Sequence, residues 1–261
     1  MNISRIQVIG QSHVKALREA SEIRSLNFCE TEETDIAIHW LLKERANGTK
    51  IGDVPLQTSL ERAGELGPTD LLAVTILGSF HNAVGLLNHE SPFTVLSENE
   101  KMSPKDIQET MIPHHVMRDI FRSQIAGPKL RRIRESTVAP IFHLATPPPK
   151  KDEDFILNRV NSYRSRSAHK SGISPSQFRL KLWQMEMEVL SESCAEFGIT
   201  LLPPPPWTTD AEGYLEPVCY APDATHANAF YGELVLRQLE NLVGQELVEQ
   251  RPMSQECADV G

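Results

Sequence analysis

The chain has little of what marks several large functional classes. It contains only four cysteines in 261 residues, Cys29, Cys194, Cys219 and Cys257. Their wide spacing excludes a disulfide framework and a C-x-x-C zinc pattern. No apolar run reaches the ~18–20 residues of a membrane-spanning helix. The opening residues, Met1-Asn2-Ile3-Ser4-Arg5, run directly into a strand pattern, with no basic, apolar and small-residue leader. The expected compartment is therefore the cytoplasm. His114 and His115 lack partners at ligand spacing, so no metal is expected. Both G-x-x-x-x-G-K-[ST] and G-x-G-x-x-G are missing, so no cofactor is expected. Positive charge is also scarce: 26 Lys+Arg against 35 Asp+Glu give a net charge of -9. That balance disfavours nucleic acid and acidic membranes as partners. The short basic runs (Lys129, Arg131, Arg132 and Arg134; Lys150 and Lys151) read as solvated helix faces or loops.

What remains is an ordinary globular composition, 40% hydrophobic and 23% charged, in a chain long enough to bury a sizeable core. Residues 6–9 read as a first buried strand, and a helix follows over 14–22. Residues 23–28 have the length of a second strand, while 35–46 fit strand then helix, or helix alone. Residues 70–77 form the clearest parallel strand, ended by Gly78. Residues 104–125 read as a helix capped by Ser103, kinked or split at Pro113. A strand is expected over 138–144, and a strong helix over 177–197, with Cys194 as small apolar filler. A last strand follows over 199–202 and a terminal helix over 227–243. Strands alternating with helices predict an α/β fold whose parallel sheet is covered on both faces. Residues 1–243 read as one domain, 150–175 as an inserted loop or lid, and 244–261 as a flexible polar tail.

In such a sheet, sites form beyond the carboxyl ends of the strands. Two segments with reactive side chains fall there, Gly10-Gln11-Ser12-His13 and Asp223-Ala224-Thr225-His226. A serine hydroxyl is a poor nucleophile unless a base lies within reach and a third group orients that base. Ser12 sits where strand turns into helix, so its N–H can face a developing oxyanion. His226 is the candidate base, and Asp223, three residues earlier, can fix its tautomer.

These residues resemble the SGNH (GDSL-type) hydrolases, whose blocks are G-D-S after the first strand, G-x-N after the third, and D-x-x-H before the last helix. Gly10-Gln11-Ser12 matches the first block with Gln11 in place of Asp, and Asp223-Ala224-Thr225-His226 matches the last in full. The resemblance spans the chain from strand one to the final helix. It implies a three-layer α/β/α sandwich with a flavodoxin-like parallel sheet. It also implies a Ser12-His226-Asp223 catalytic triad and an oxyanion hole built from the Ser12 N–H, a glycine N–H and a side-chain donor. Ser79, directly after Gly78, is one candidate for the asparagine's part. Asn82 lies three residues further on, and its longer amide favours it. Gly48, Gly52, Gly64 and Gly67 compete for the glycine block, and Gly52 is the one assigned.

Each residue also has a structural reading. Ser12 and Asp223 are both suited to cap helices. His13 reads as a core or surface residue, and His81 as a pocket residue or a partner of a loop backbone. Trp183 reads as core. Trp207 and Tyr214 can wall a pocket or anchor a long loop. The resulting expectation is a serine esterase acting on a small-molecule or carbohydrate ester, including an O-acetyl group. The alternatives are an acyltransferase using the same serine, and a non-catalytic glycan- or protein-binding module on the same fold.

Overall fold

The computed structural model describes residues 4–26, 34–44, 48–96, 110–125, 127–160 and 171–249, with side chains described as far as residue 243. Five strands form one parallel sheet: β1 (Ser4–Gly10), β2 (Thr34–Trp40), β3 (Leu71–Thr75), β4 (Ile141–Leu144) and β5 (Thr200–Leu202). Their spatial order is β2-β1-β3-β4-β5, with Gly10 level with both Trp40 and Thr75. This is the flavodoxin-like order, and it puts the ends of β1 and β3 side by side.

Residues in a strand face alternate sides, and each side has its own helical cover. Ile6 and Val8 of β1 and Leu71 and Ala73 of β3 pack with α1 (Val14–Leu26) and α8 (Ala229–Glu249). Ile9, Leu72 and Val74 point the other way. They meet α2 (Leu56–Ala63), α4 (His114–Gln124), α5 (Gly127–Glu135) and α7 (Ser176–Ala195). Two short helices complete the described set, α3 (His81–Gly85) and α6 (Glu153–Leu157). The result is a three-layer α/β/α sandwich. Gly232 lets α8 approach α1, since a Cβ there would lie 2.1 Å from the Ala16 carbonyl oxygen. No helix among the described residues is long and apolar enough to cross a membrane.

Several expected boundaries change. Residues 23–26 continue α1 rather than starting a strand, and the second strand is Thr34–Trp40. The reason is an interhelical tether. Arg24 in the last turn of α1 binds Glu233 and Glu240 of α8, each at 2.6 Å, while Ile23 and Leu26 stay exposed. Thr110–Ile112 is a strand paired with Phe93–Val95, and α4 begins only after Pro113. Proline lacks an N–H and disfavours a helical residue before it, so it sits at the helix start instead. Ser103 and Pro104 lie outside the described residues, as do Cys29 and Cys257. β4 starts after Pro140, whose carbonyl accepts from Leu72 N at 3.0 Å. The last helix starts at Ala229 and its backbone continues to Glu249, into the segment expected to be a loose tail.

Candidate active site

Ser12 follows the carboxyl end of β1, in the turn that opens α1. The turn is held by Gln11 N, which donates to Thr75 O at 3.1 Å. Gly10 is required there: a Cβ would lie 2.4 Å from Thr75 Cγ2 and 2.8 Å from Val14 Cβ. Ser12 is half-buried. Among the described residues its hydroxyl makes no hydrogen bond, to His226 or to any other group.

Asp223 and His226 lie together just before α8. The Asp223 Oδ1 accepts from Thr225 N at 2.9 Å and from His226 N at 2.8 Å, which winds the segment into a tight turn. Its Oδ2 meets His226 Nδ1 at 2.9 Å. A carboxylate only accepts, so Nδ1 carries the proton and donates, and Nε2 is left as the basic nitrogen. Burial works against the Asp223 charge, but the His226 imidazole and the turn's N–H groups hold its carboxyl well below the usual carboxylate range.

The turn is stapled at its base. Ala221 N donates to His226 O at 3.1 Å, and Asn228 N donates to Cys219 O at 2.9 Å. Asn228 also caps α8, its Oδ1 accepting from Tyr231 N at 3.2 Å. Below the turn lies Lys150, only 2% exposed. Its Nζ donates to Ala221 O at 2.7 Å and to the Asp223 carbonyl, between the rings of Phe155 and Tyr220 at 4.8 and 5.0 Å. Burial pushes the Lys150 pKa down to about 8, with Asp223 acting in the opposite direction. Its own carbonyl is gripped by Arg179. The expectation of a solvated basic loop at Lys150 is therefore corrected. The ammonium is enclosed because two backbone carbonyls, left without partners by the turn, need a donor.

His13, expected in the core or at the surface, packs its ring against that of His226 at 5.0 Å. Burial pushes its pKa down to about 3, and the neighbouring imidazoles of His226 and His81 act the same way. His13 therefore stays neutral. Its Nδ1 and the Oε1 of Gln238 are both sealed without a partner among the described residues, and both residues line one small cavity with Tyr231 and Pro203.

His81 is 3% exposed at the start of α3. Its Nδ1 meets Glu186 Oε2 at 2.8 Å. The same carboxylate accepts from His81 N at 2.7 Å and from Phe80 N at 3.0 Å. Sequence reasoning did not find Glu186, although a signal exists. It sits on the stripe of Leu182, Val189 and Leu190, a charge on the helix face that should be apolar.

The other assigned residues divide. Gly52 lies beside the carboxyl end of β2, where a Cβ would be 2.3 Å from the Leu41 carbonyl oxygen. Asn82 is half-buried in α3, while Ser79 is exposed just before it. Trp207 is 89% exposed with a φ of 68°, away from packing. Tyr214 is 1% exposed, which corrects its assignment to a pocket wall. It anchors the loop after β5, where its N and O both bind Asp210. Trp183 is part of the helical cover and donates from Nε1 to Thr146 O at 3.1 Å. Among the described residues no group of three or more His, Cys, Asp or Glu side chains can hold a metal ion.

No protein-family model matches the chain, and no curated protein sequence matches it. Several solved structures are similar to it over most of its length. One is the periplasmic domain of a lipopolysaccharide acetyltransferase from Salmonella ser. Paratyphi A, at 12% identity over 95% of this chain and 84% of that one, with a TM-score of 0.46. Another is an extracellular lipase from Streptomyces rimosus, at 10% identity over 92% of this chain and 99% of that one, with a TM-score of 0.48. A third is a GDSL-like lipase from Bacteroides thetaiotaomicron, at 12% identity over 92% and 89% of the two chains, with a TM-score of 0.42.

Proposed function

We propose that the protein is a serine esterase. Ser12 Oγ attacks the carbonyl carbon of an ester, and His226 Nε2 takes its proton and returns it to the leaving alcohol. Asp223 holds the imidazole in the required tautomer and stabilises the imidazolium. The observation that carries this reading is the 2.9 Å contact between His226 Nδ1 and Asp223 Oδ2, on a turn tied at its base by Lys150. The Ser12–His226 contact forms when substrate is bound, since such pairs tighten in the complex. The oxyanion is held by the N–H groups of Ser12 and Gly52 and by the side chain of Asn82 or Ser79. Each such donor is typically worth ~3 kcal/mol of barrier.

The substrate class is a short carboxylic ester, and an O-acetyl group on a carbohydrate suits the surroundings. A cavity of about 540 Å³ is lined by Asn88, His89, Phe93, Ser174 and Phe178. Aromatic faces interleaved with amide and hydroxyl groups fit a sugar ring, and Ser174 belongs to the 150–175 segment expected to be an inserted loop or lid.

Hydrolysis of p-nitrophenyl acetate and of O-acetylated sugars by the wild type and by Ser12→Ala tests the proposal. Turnover by the wild type that is lost in Ser12→Ala is the expected result. Absence of turnover in both, with sugar or protein binding retained, favours the binding-module alternative. Product that forms only when an acceptor alcohol is added identifies the transferase.

A further inference from the structure

The site has not one but two imidazoles keyed by a carboxylate. His226 Nδ1 is held by Asp223 at 2.9 Å, and His81 Nδ1 by Glu186 at 2.8 Å. In both, the carboxylate fixes the proton on Nδ1 and leaves Nε2 without a partner among the described residues. The Nε2 of His81 is also not among the sealed, unpartnered atoms, unlike Nδ1 of His13 and Nε2 of His143. The two pairs differ in surroundings. The His226 and Asp223 side chains are 33% and 46% exposed, whereas those of His81 and Glu186 are 3% and 2% exposed.

The two pairs come from opposite layers of the sandwich. His226 precedes α8, which covers one face of the sheet, while Glu186 lies on α7, which covers the other. Ser12 and His81 leave the ends of the adjacent strands β1 and β3, whose Gly10 and Thr75 are in register. His13, next to Ser12 in the chain, has its ring 5.0 Å from that of His226.

We propose that His81 is a second acid–base residue of this site, which serves the acyl acceptor on the face of the Ser12 ester opposite His226. The inference rests on the esterase reading. In acylation the proton of Ser12 Oγ passes through His226 to the departing alcohol, so His226 ends neutral. A water or acceptor alcohol then attacks the acyl carbon. Its proton moves to His81 Nε2 as the new C–O bond forms. The proton passes on to Ser12 Oγ as the bond from Oγ to the acyl carbon breaks. Protons balance, and both imidazoles return to their starting tautomers. Glu186 is a positioning residue: it sets the His81 tautomer, and through Phe80 N and His81 N it fixes the loop after β3.

Stopped-flow release of nitrophenolate from p-nitrophenyl acetate separates the two half-reactions. The informative variant is His81→Asn, whose amide nitrogen takes the place of Nδ1 and keeps the bond to Glu186, while Nε2 is lost. We expect a burst of one nitrophenolate per enzyme at close to the wild-type rate. The following steady state should be slowed by roughly 10²–10⁴-fold, as for a lost general base. Acetyl-Ser12 should accumulate and be visible by mass spectrometry. His226→Asn should lose the burst itself. If His81→Asn does not fold, His81→Gln, which also lacks a basic nitrogen, is read by the same split between burst and steady state. Wild-type turnover in the folded variant overturns the inference and leaves the esterase reading intact. So does an equal loss of burst and steady state, which marks His81 as structural only. A wild type in which Ser12 is never acylated overturns both.

Discussion

Lys150 Nζ donates to the main-chain carbonyl of Asp223, so the acid of the candidate triad is held from below by a buried ammonium. Replacing Lys150 by Met leaves the Ala221 and Asp223 carbonyls without their donor. Such a loss costs ~1–3 kcal/mol. The turn also loosens, and misplacement on the scale of 1 Å lowers kcat by about 10²-fold. Urea unfolding and esterase kinetics of Lys150→Met should show both effects together. Wild-type kcat in the variant would remove Lys150 from the account.

Asp223→Asn isolates the orienting role of the carboxylate. The amide oxygen can still accept from the backbone of Thr225 and His226, so the turn survives. Its NH2 group then faces Nδ1 and forces the opposite tautomer, which puts the proton on Nε2. We expect kcat to fall by about 10³–10⁴-fold with a nearly unchanged KM. The kcat–KM split in steady-state kinetics checks it.

Stability should fall on mild acidification. Burial pushes His143 in β4 down to about 4, and burial with two imidazole neighbours pushes His13 down to about 3. Unfolding returns both to about 6.5. Between those values the unfolded chain binds protons that the folded chain refuses, so stability rises with pH there. Their contribution is complete above about pH 6.5 and is lost as pH falls toward 4. The urea midpoint should be lower at pH 5 than at pH 7, and His143→Phe should narrow the gap. An unchanged gap would show that His143 does not carry it.

Close contact of α1 and α8 depends on Gly232. Gly232→Ala sets a Cβ against the backbone of Ala16 and Leu17 rather than against a movable side chain. We expect a loss of ~1–3 kcal/mol from overpacking, read as a lowered Tm.

What is legible in the sequence is what is local. β3 is announced by a near-continuous apolar run over residues 71–75, and α7 by its 3.6-residue period. Asp223 and His226 are three residues apart, so one turn suffices to join them. The distant partners leave weaker traces. Glu186 is 105 residues from His81, and Lys150 is 73 from Asp223. Only the folded sheet brings these pairs together, and a lysine after three prolines carries no sign that it will be buried. The departures at residues 23–26 and 110–112 have the same origin. Arg24 is held in the helix by acids more than 200 residues away, and a strand at 110–112 exists because 93–95 pairs with it.

The central claim is that Ser12 is a nucleophile, and covalent labelling tests it most directly. Wild-type protein is treated with a fluorophosphonate, digested and mapped by mass spectrometry. The account predicts a single phosphonyl adduct on Ser12, formed slowly in His226→Asn and absent in Ser12→Ala. No adduct, or an adduct on another residue that persists in Ser12→Ala, would contradict it.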